Sequence, residues 1–444
     1  MSKKVFLKGT LILACTGLVS RIAGFFYRIF LSHAIGAEGL GLYQLILPLQ
    51  GLMAALSYTG IHSALSRLIA SRLALQEKKE AYFSLVTGIF AAVFFSAVTG
   101  FLLFRHADFF ASTILKAPGT SDLLRLTAAS IPLCAIHSCI DSYYYARKKA
   151  SVPAAVQLSE QTVRIGATYI LYLIFLSEGR PVTAMIAAGG SLAGEAAASL
   201  ISLLMVSFHF GNHPVKEKTS VKIFPLIKDL FTLSFPISLN RILLTLLGSI
   251  EAVLIPQMLI RCGMTSSEAL KIYGIFTGMA LPLLLFPSTI TTSAAVMLMP
   301  SVARMDALGD QKQIRYVTDQ TFFLCMFLGF LCGSGFFLFG PFLGTLLFHS
   351  KTAGTYIRYL SFICPFLYTN TMLASILQGL GRPGRCLIHS AAGILIRIFS
   401  VVFMIPAIGI RGYFYGIFLG ELLLSLLHVK ALKFPYRQAG DNRL

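Results

Sequence analysis

The chain has 444 residues, of which 12% are charged and 56% hydrophobic, with mean hydropathy +0.76 and a formal net charge of +19. Soluble proteins carry about 25% charged residues, so a string of soluble domains is excluded, and no segment is long and polar enough to be one. The basic residues are dispersed between apolar segments, which fits the positive-inside rule better than nucleic-acid binding.

Twelve apolar segments are long enough to cross a bilayer, each near the 20 residues that its thickness demands. They fall at 8–31, 42–70, 82–104, 122–145, 154–176, 182–208, 226–258, 269–302, 317–339, 355–378, 386–406 and 411–432. The pattern predicts an all-α, polytopic membrane protein. The stretch 342–348, FLGTLLF, is too short to cross and reads as an interfacial approach to span ten. The opening Lys3, Lys4 and Lys8 imitate a signal peptide, but Arg21 and Arg28 interrupt the apolar run behind them. A retained first helix is therefore expected.

Lys and Arg in alternate connections set the orientation. With a cytoplasmic N-terminus, 22 lie on the cytoplasmic side and 8 on the outer side, which predicts both termini in the cytoplasm. The longest polar connection, residues 209–228, falls at the midpoint. Lys8 precedes Arg21 by thirteen residues and Lys228 precedes Arg241 by thirteen. Glu38 to Tyr43 leads into span two as Glu268 to Tyr273 leads into span eight. The sixth span of each half reads G-xxx-GE-xxx-SL, at Gly190–Leu200 and Gly416–Leu426. These matches predict a duplication: parallel six-helix lobes at 1–210 and 226–434, a cytoplasmic linker at 211–225 and a tail at 435–444. Transporters with parallel repeats place substrate between the halves.

No HExxH, GxSxG or Walker A motif occurs, and Gly379-Leu-Gly381-Arg-Pro-Gly384 lies between apolar helices, where it reads as a tight turn. Neither an enzyme activity nor a cofactor is expected. Eight cysteines sit mostly in apolar runs without a CxxC, and they read as small hydrophobic residues; no metal site is expected. His62, His137 and His389 read as hydrogen-bonded helix histidines. Arg164 has Glu160 one turn before it, a local pair, and Arg397 has Glu421 on the next span as a partner. Glu195 and Glu421 follow small residues four apart, which let helices approach closely, so they read as locks between helices, with ion coupling as the other use. Arg241 shares its span with Glu251, but ten residues of helix separate them by about 15 Å. Arg21, Arg28 and Arg241, with Asn240, are left as candidates for binding an anion in a cavity, because a charge at membrane depth costs roughly 2.5 kcal/mol or more. The planar fork of arginine suits a diphosphate.

The opening KGTLILACTGLVSRIAGFFYRIFLSHAIGAEGLGLYQ resembles the stage V sporulation protein B group, within the polysaccharide-flippase branch of the MOP exporter superfamily. Residues 268–303 and 373–385 resemble that group's span-eight and span-ten motifs. The resemblance implies a V-shaped twelve-helix core and export of a lipid-linked saccharide or peptidoglycan precursor across the cell membrane, by a monomer whose partners are that substrate and membrane lipids. Related lipid II flippases share the S-R-x-x-G-F element, here Ser20 to Phe25, and their arginine lines the central cavity; this carries over to Arg21 alone. Those flippases space two first-helix arginines by six, whereas Arg21 and Arg28 are seven apart. The sporulation and lipid II groups usually carry two spans beyond the twelve read here. An ion-coupled exporter of small amphipathic solutes is the alternative on the same architecture.

Overall fold

The structure, a computed structural model, describes residues 3–212 and 223–433, with the side chains of residues 3–14, 223 and 433 excepted. The expected linker lies largely, and the expected tail wholly, outside the described residues. All regular elements among the described residues are helical. Two compact units divide the chain, residues 1–282 and 283–444.

The first unit holds α1 (Lys3–Ala34), α2 (Gly36–Ser57), α3 (Thr59–Ala74), α4 (Lys78–Arg105), the single turn α5 (Ala107–Phe109), α6 (Ser121–Ala146), α7 (Ser151–Ser177), α8 (Met185–Asn212), α9 (Ile223–Arg261) and α10 (Ser266–Gly274). A π-type segment, Ile275–Ala280, joins α10 to α11 (Leu281–Leu285), within which the units divide. The second unit continues with α12 (Ser288–Ala307), α13 (Gln311–Phe348), α14 (Lys351–Leu360), α15 (Cys364–Gly379), α16 (Pro383–Phe403), the short α17 (Ile405–Ile408) and α18 (Ile410–Lys433).

Ten helical segments among the described residues are long and apolar enough to cross a membrane, and this is a multi-pass membrane protein. Twelve were expected. The two not in that set are α1 and α7, which are 32 and 27 residues long. Other boundaries differ for visible reasons. Span two breaks at Tyr58 into α2 and α3, and span eight breaks at Phe286 and Pro287 between α11 and α12. Proline lacks the N–H that the next turn needs. Yet α9 runs through Pro236 and Pro256 as one helix. The expected interfacial stretch 342–348 is instead the end of α13. Glycines make that extension possible: a Cβ at Gly344 would stand 2.1 Å from the Gly354 nitrogen, so α14 docks directly on its backbone. The Gly379–Gly384 segment is a turn, with Gly381 at φ +69°.

Helices in a bilayer lack a hydrophobic drive to associate and rely on small residues for close packing. Ser84, Gly88, Ala92, Ser96 and Gly100 form a buried stripe along α4, one per turn. A Cβ at Gly100 would stand 2.9 Å from the Ala128 carbonyl of α6. The corresponding stripe on α13 includes Cys325, Gly329 and Gly333, set against the start of α15 and the turn before it. The outward faces are apolar and exposed: Phe90, Phe94 and Phe101 on α4, Phe323, Phe327 and Phe330 on α13. Each unit thus repeats one packing plan. α4 on α6, α6 on α8 and α7 on α8 recur as α13 on α15, α15 on α18 and α16 on α18.

Candidate functional site

Two buried polar clasps occupy equivalent places in the two units. In the first, α6, α7 and α8 contribute His137, Arg164 and Glu195. His137 Nε2 donates to Glu195 Oε2 at 2.9 Å, while an Arg164 Nη lies 3.5 Å from Glu195 Oε1 and also pairs with Glu160. In the second, α15, α16 and α18 contribute Asn370, Arg397 and Glu421. Asn370 Nδ2 donates to Glu421 Oε2 at 2.8 Å, and an Arg397 Nη lies 3.4 Å from Glu421 Oε1. Ser199 and Ser425, the serines of the repeated motif, donate to the Leu133 carbonyl at 3.0 Å and to Asn370 Oδ1 at 2.6 Å.

The repeated glycines explain how the helices come so near. A Cβ on Gly194 would stand 2.9 Å from the Glu160 carbonyl, and one on Gly420 would stand 3.1 Å from Arg397 Cγ. The two arginine pairs expected from sequence, Arg164 with Glu160 and Arg397 with Glu421, are present. Asn370 and the His137–Glu195 bond were not foreseen. A signal existed: His137 precedes Arg164 by 27 residues, Asn370 precedes Arg397 by 27, and Pro132 and Pro365 each stand five residues earlier.

The candidate anion ligands lie elsewhere. Arg21 and Arg241 are both exposed, and each is the nineteenth residue of its helix, α1 and α9. Asn240 is exposed beside Arg241. Arg28 is half-buried and close to Tyr43, which also feels Arg164 and Glu195. Arg28 therefore borders the buried network of the first unit, whereas Arg21, two turns earlier on α1, is exposed. Glu251 is buried near Tyr273, and Ser249 two residues earlier on α9 donates to the Pro48 carbonyl of α2 at 2.9 Å.

Hydrogen bonds hold two of the three expected histidines: His62 Nδ1 donates to the Ser138 carbonyl at 2.8 Å, and His137 is held by Glu195. His389 instead faces buried His428 across 5.1 Å between ring centres. At the end of α3, Arg72 gathers Glu77 (3.1 Å), Glu80 of α4 (2.9 Å) and Asp229 of α9 (3.0 Å). Tyr27 Oη and Thr168 Oγ1 share a buried 3.0 Å hydrogen bond that ties α1 to α7. Tyr27→Phe leaves Thr168 its bond to the Arg164 carbonyl, so the expected loss is about 1 kcal/mol. A melting midpoint lowered by a few degrees in detergent checks it; an unchanged midpoint counts against the bond.

Residues 6–306 match the family described as polysaccharide biosynthesis protein. The chain is 30% identical over 440 residues to stage V sporulation protein B of Bacillus subtilis (strain 168), covering 96% of this chain and 83% of that one. It is 22% identical to lipid II flippase MurJ of the same organism, over 96% of this chain and 82% of that one. Among solved structures, lipid II flippase MurJ in an inward closed conformation superposes with a TM-score of 0.72 at 14% identity, covering 96% of this chain and 88% of that one. An inward-facing multidrug resistance MATE family transporter of the MOP superfamily gives 0.68 at 16% identity, over 95% and 99%. The fold is that of the MOP transporters, and the chain belongs to the polysaccharide biosynthesis protein family.

Proposed function

We propose that the protein is a flippase, not an enzyme, that carries a polyprenyl-diphosphate-linked saccharide or peptidoglycan precursor across the cytoplasmic membrane by alternating access. The observation that carries this reading is the relationship over 96% of the chain to stage V sporulation protein B. Six-helix lobes at 1–210 and 226–434 would work as a monomer, with both termini in the cytoplasm. Arg21 and Arg241, with Asn240 and Arg28 in support, would hold the diphosphate. Their exposure on long apolar helices supports the assignment, since an arginine facing hydrocarbon is costly and one facing a water-filled route is not. Glu195, Glu251, Glu421 and Arg397 would brace the lobes or couple an ion.

Arg21→Ala and Arg241→Ala should each slow precursor translocation by about 10- to 100-fold, as loss of a charge-assisted contact implies. Lysine at either site should rescue only partly, because it lacks the bidentate fork. Translocation is read in a strain depleted of its own flippases, with membrane levels matched by immunoblot. Wild-type rates in both alanine variants would refute the diphosphate role.

A further inference from the structure

The second clasp shows what locking three helices requires: one amide, one guanidinium and one carboxylate. The first clasp carries more. Where the second unit has Leu367, Asn370, Ala374 and Gly393, the first has Cys134, His137, Asp141 and Glu160 at the equivalent spacings from the clasp arginine. These additions also upset the charge. Arg397 and Glu421 balance, whereas Arg164 is shared by Glu160 and Glu195, and Asp141 stands beside His137. Among the groups in direct contact, carboxylates outnumber the guanidinium, and in an apolar bundle that surplus calls for a cation.

The added groups are also placed as ligands. Cys134 and His137 are three residues apart, so they share one face of α6, and Glu195 approaches from α8. One donor atom from each lies within 4.8 Å of the other two. Tetrahedral zinc, with bonds of about 2.0–2.3 Å, holds its donors roughly 3.3–3.8 Å apart, so small side-chain rotations close the site. Arg164 engages Glu195 Oε1 and leaves Oε2 facing His137. Asp141 Oδ2 is 3.9 Å from His137 Nδ1, and neither that nitrogen nor Asp141 Oδ1 has a hydrogen-bond partner among the described residues. A metal-bound histidine donates its other N–H to such a carboxylate, which fixes its tautomer.

We propose that Cys134, His137 and Glu195 bind a divalent transition metal of the zinc class, with Asp141 orienting His137. On binding, Cys134 gives up its thiol proton to solvent, and the imidazole, still neutral, carries its one proton on Nδ1. The metal braces α6 against α8. Cys134 is the residue that favours this ligand over a proton shared by His137 and Glu195, because a proton site has no use for a thiol.

The test uses the purified full-length chain with exposed Cys15 and Cys262 changed to serine, which removes adventitious thiols. Zinc should raise its melting midpoint by several degrees, saturating at one ion per chain, and cobalt should give a thiolate charge-transfer absorption. Cys134→Ser should abolish that absorption, and Asp141→Asn should weaken zinc binding about 10- to 100-fold. Should His137→Gln fail to fold, the near-isosteric Cys134→Ser carries the test alone. No saturable response to zinc in the parent, or equal binding by parent and Cys134→Ser, overturns the proposal. So does a midpoint that follows pH through His137 yet ignores zinc, the mark of a proton site.

Discussion

Glu421→Ala is expected to destabilise the second unit by about 3–5 kcal/mol, because removing one partner of a largely buried ion pair costs more than the attraction it deletes. The Glu421 side chain is 10% exposed and that of Arg397 is 23% exposed. Once the carboxylate is gone, Asn370 loses the acceptor 2.8 Å away but keeps the Glu421 backbone carbonyl at 2.9 Å and the donor Ser425. The loss therefore falls mainly on the Arg397–Glu421 ion pair. That partition can be measured. Removing both charges, as Arg397→Met with Glu421→Gln, should recover most of the loss, since a buried ion pair is often replaced at little net cost by neutral groups of similar volume. The readout is the fraction of monodisperse protein surviving a temperature series in detergent. If the single and double variants melt together, the pair does not govern the stability of α16 against α18.

A second large effect is expected at Gly274. The segments Glu38–Tyr43 and Glu268–Tyr273, noted as repeats in the sequence, meet within the first unit, and Ser267 donates to Glu38 at 2.6 Å. A Cβ on Gly274 would stand 2.0 Å from the Ala37 carbonyl oxygen and 2.6 Å from the Gly41 nitrogen, while one on Gly41 would stand 2.1 Å from the Leu270 carbonyl oxygen. Both obstacles are backbone, so only separation of α2 from α10 relieves them. Overpacking a core costs about 1–3 kcal/mol where side chains can shift, and here they cannot. Gly274→Val should prevent accumulation of folded protein, seen as loss of the monodisperse chromatographic peak. Gly248→Val, where an added Cβ meets nothing within 4 Å, is the matched control. Normal yield of Gly274→Val would mean the contact is looser than described.

What could be read from the sequence depended on whether the cause was local. Apolar length marked most spans, and the i,i+4 spacing of Glu160 and Arg164 gave their pair outright. The Arg397–Glu421 pair and the close approach at Gly194 and Gly420 were also within reach, because G-xxx-GE states the close approach and the acid together. Asn370 was not, since nothing local says that an amide 51 residues before Glu421 will face it. The same holds for His137 and Glu195, 58 residues apart. Proline alone does not decide where a helix stops: α9 runs on through Pro236 and Pro256, while the chain breaks at Phe286–Pro287. Whether a proline ends a helix depends on what neighbouring backbone can do for the freed carbonyl, and this is a tertiary fact.

The length of α9 has a consequence for depth. Its 39 residues extend about 58 Å, while the hydrocarbon layer is about 30 Å thick and the bilayer with headgroups about 40–45 Å. Even a tilt near 40°, the upper end of what membrane helices adopt, leaves a projection of about 44 Å, so α9 must reach out of the hydrocarbon. The ion cluster of Arg72 with Glu77, Glu80 and Asp229 marks where it does so, because four such groups do not gather in lipid. Arg241 lies twelve residues beyond Asp229, which on an untilted helix is about 18 Å deeper. The cluster thus serves as a depth gauge built into the chain, and it sets Arg241 near the middle of the bilayer.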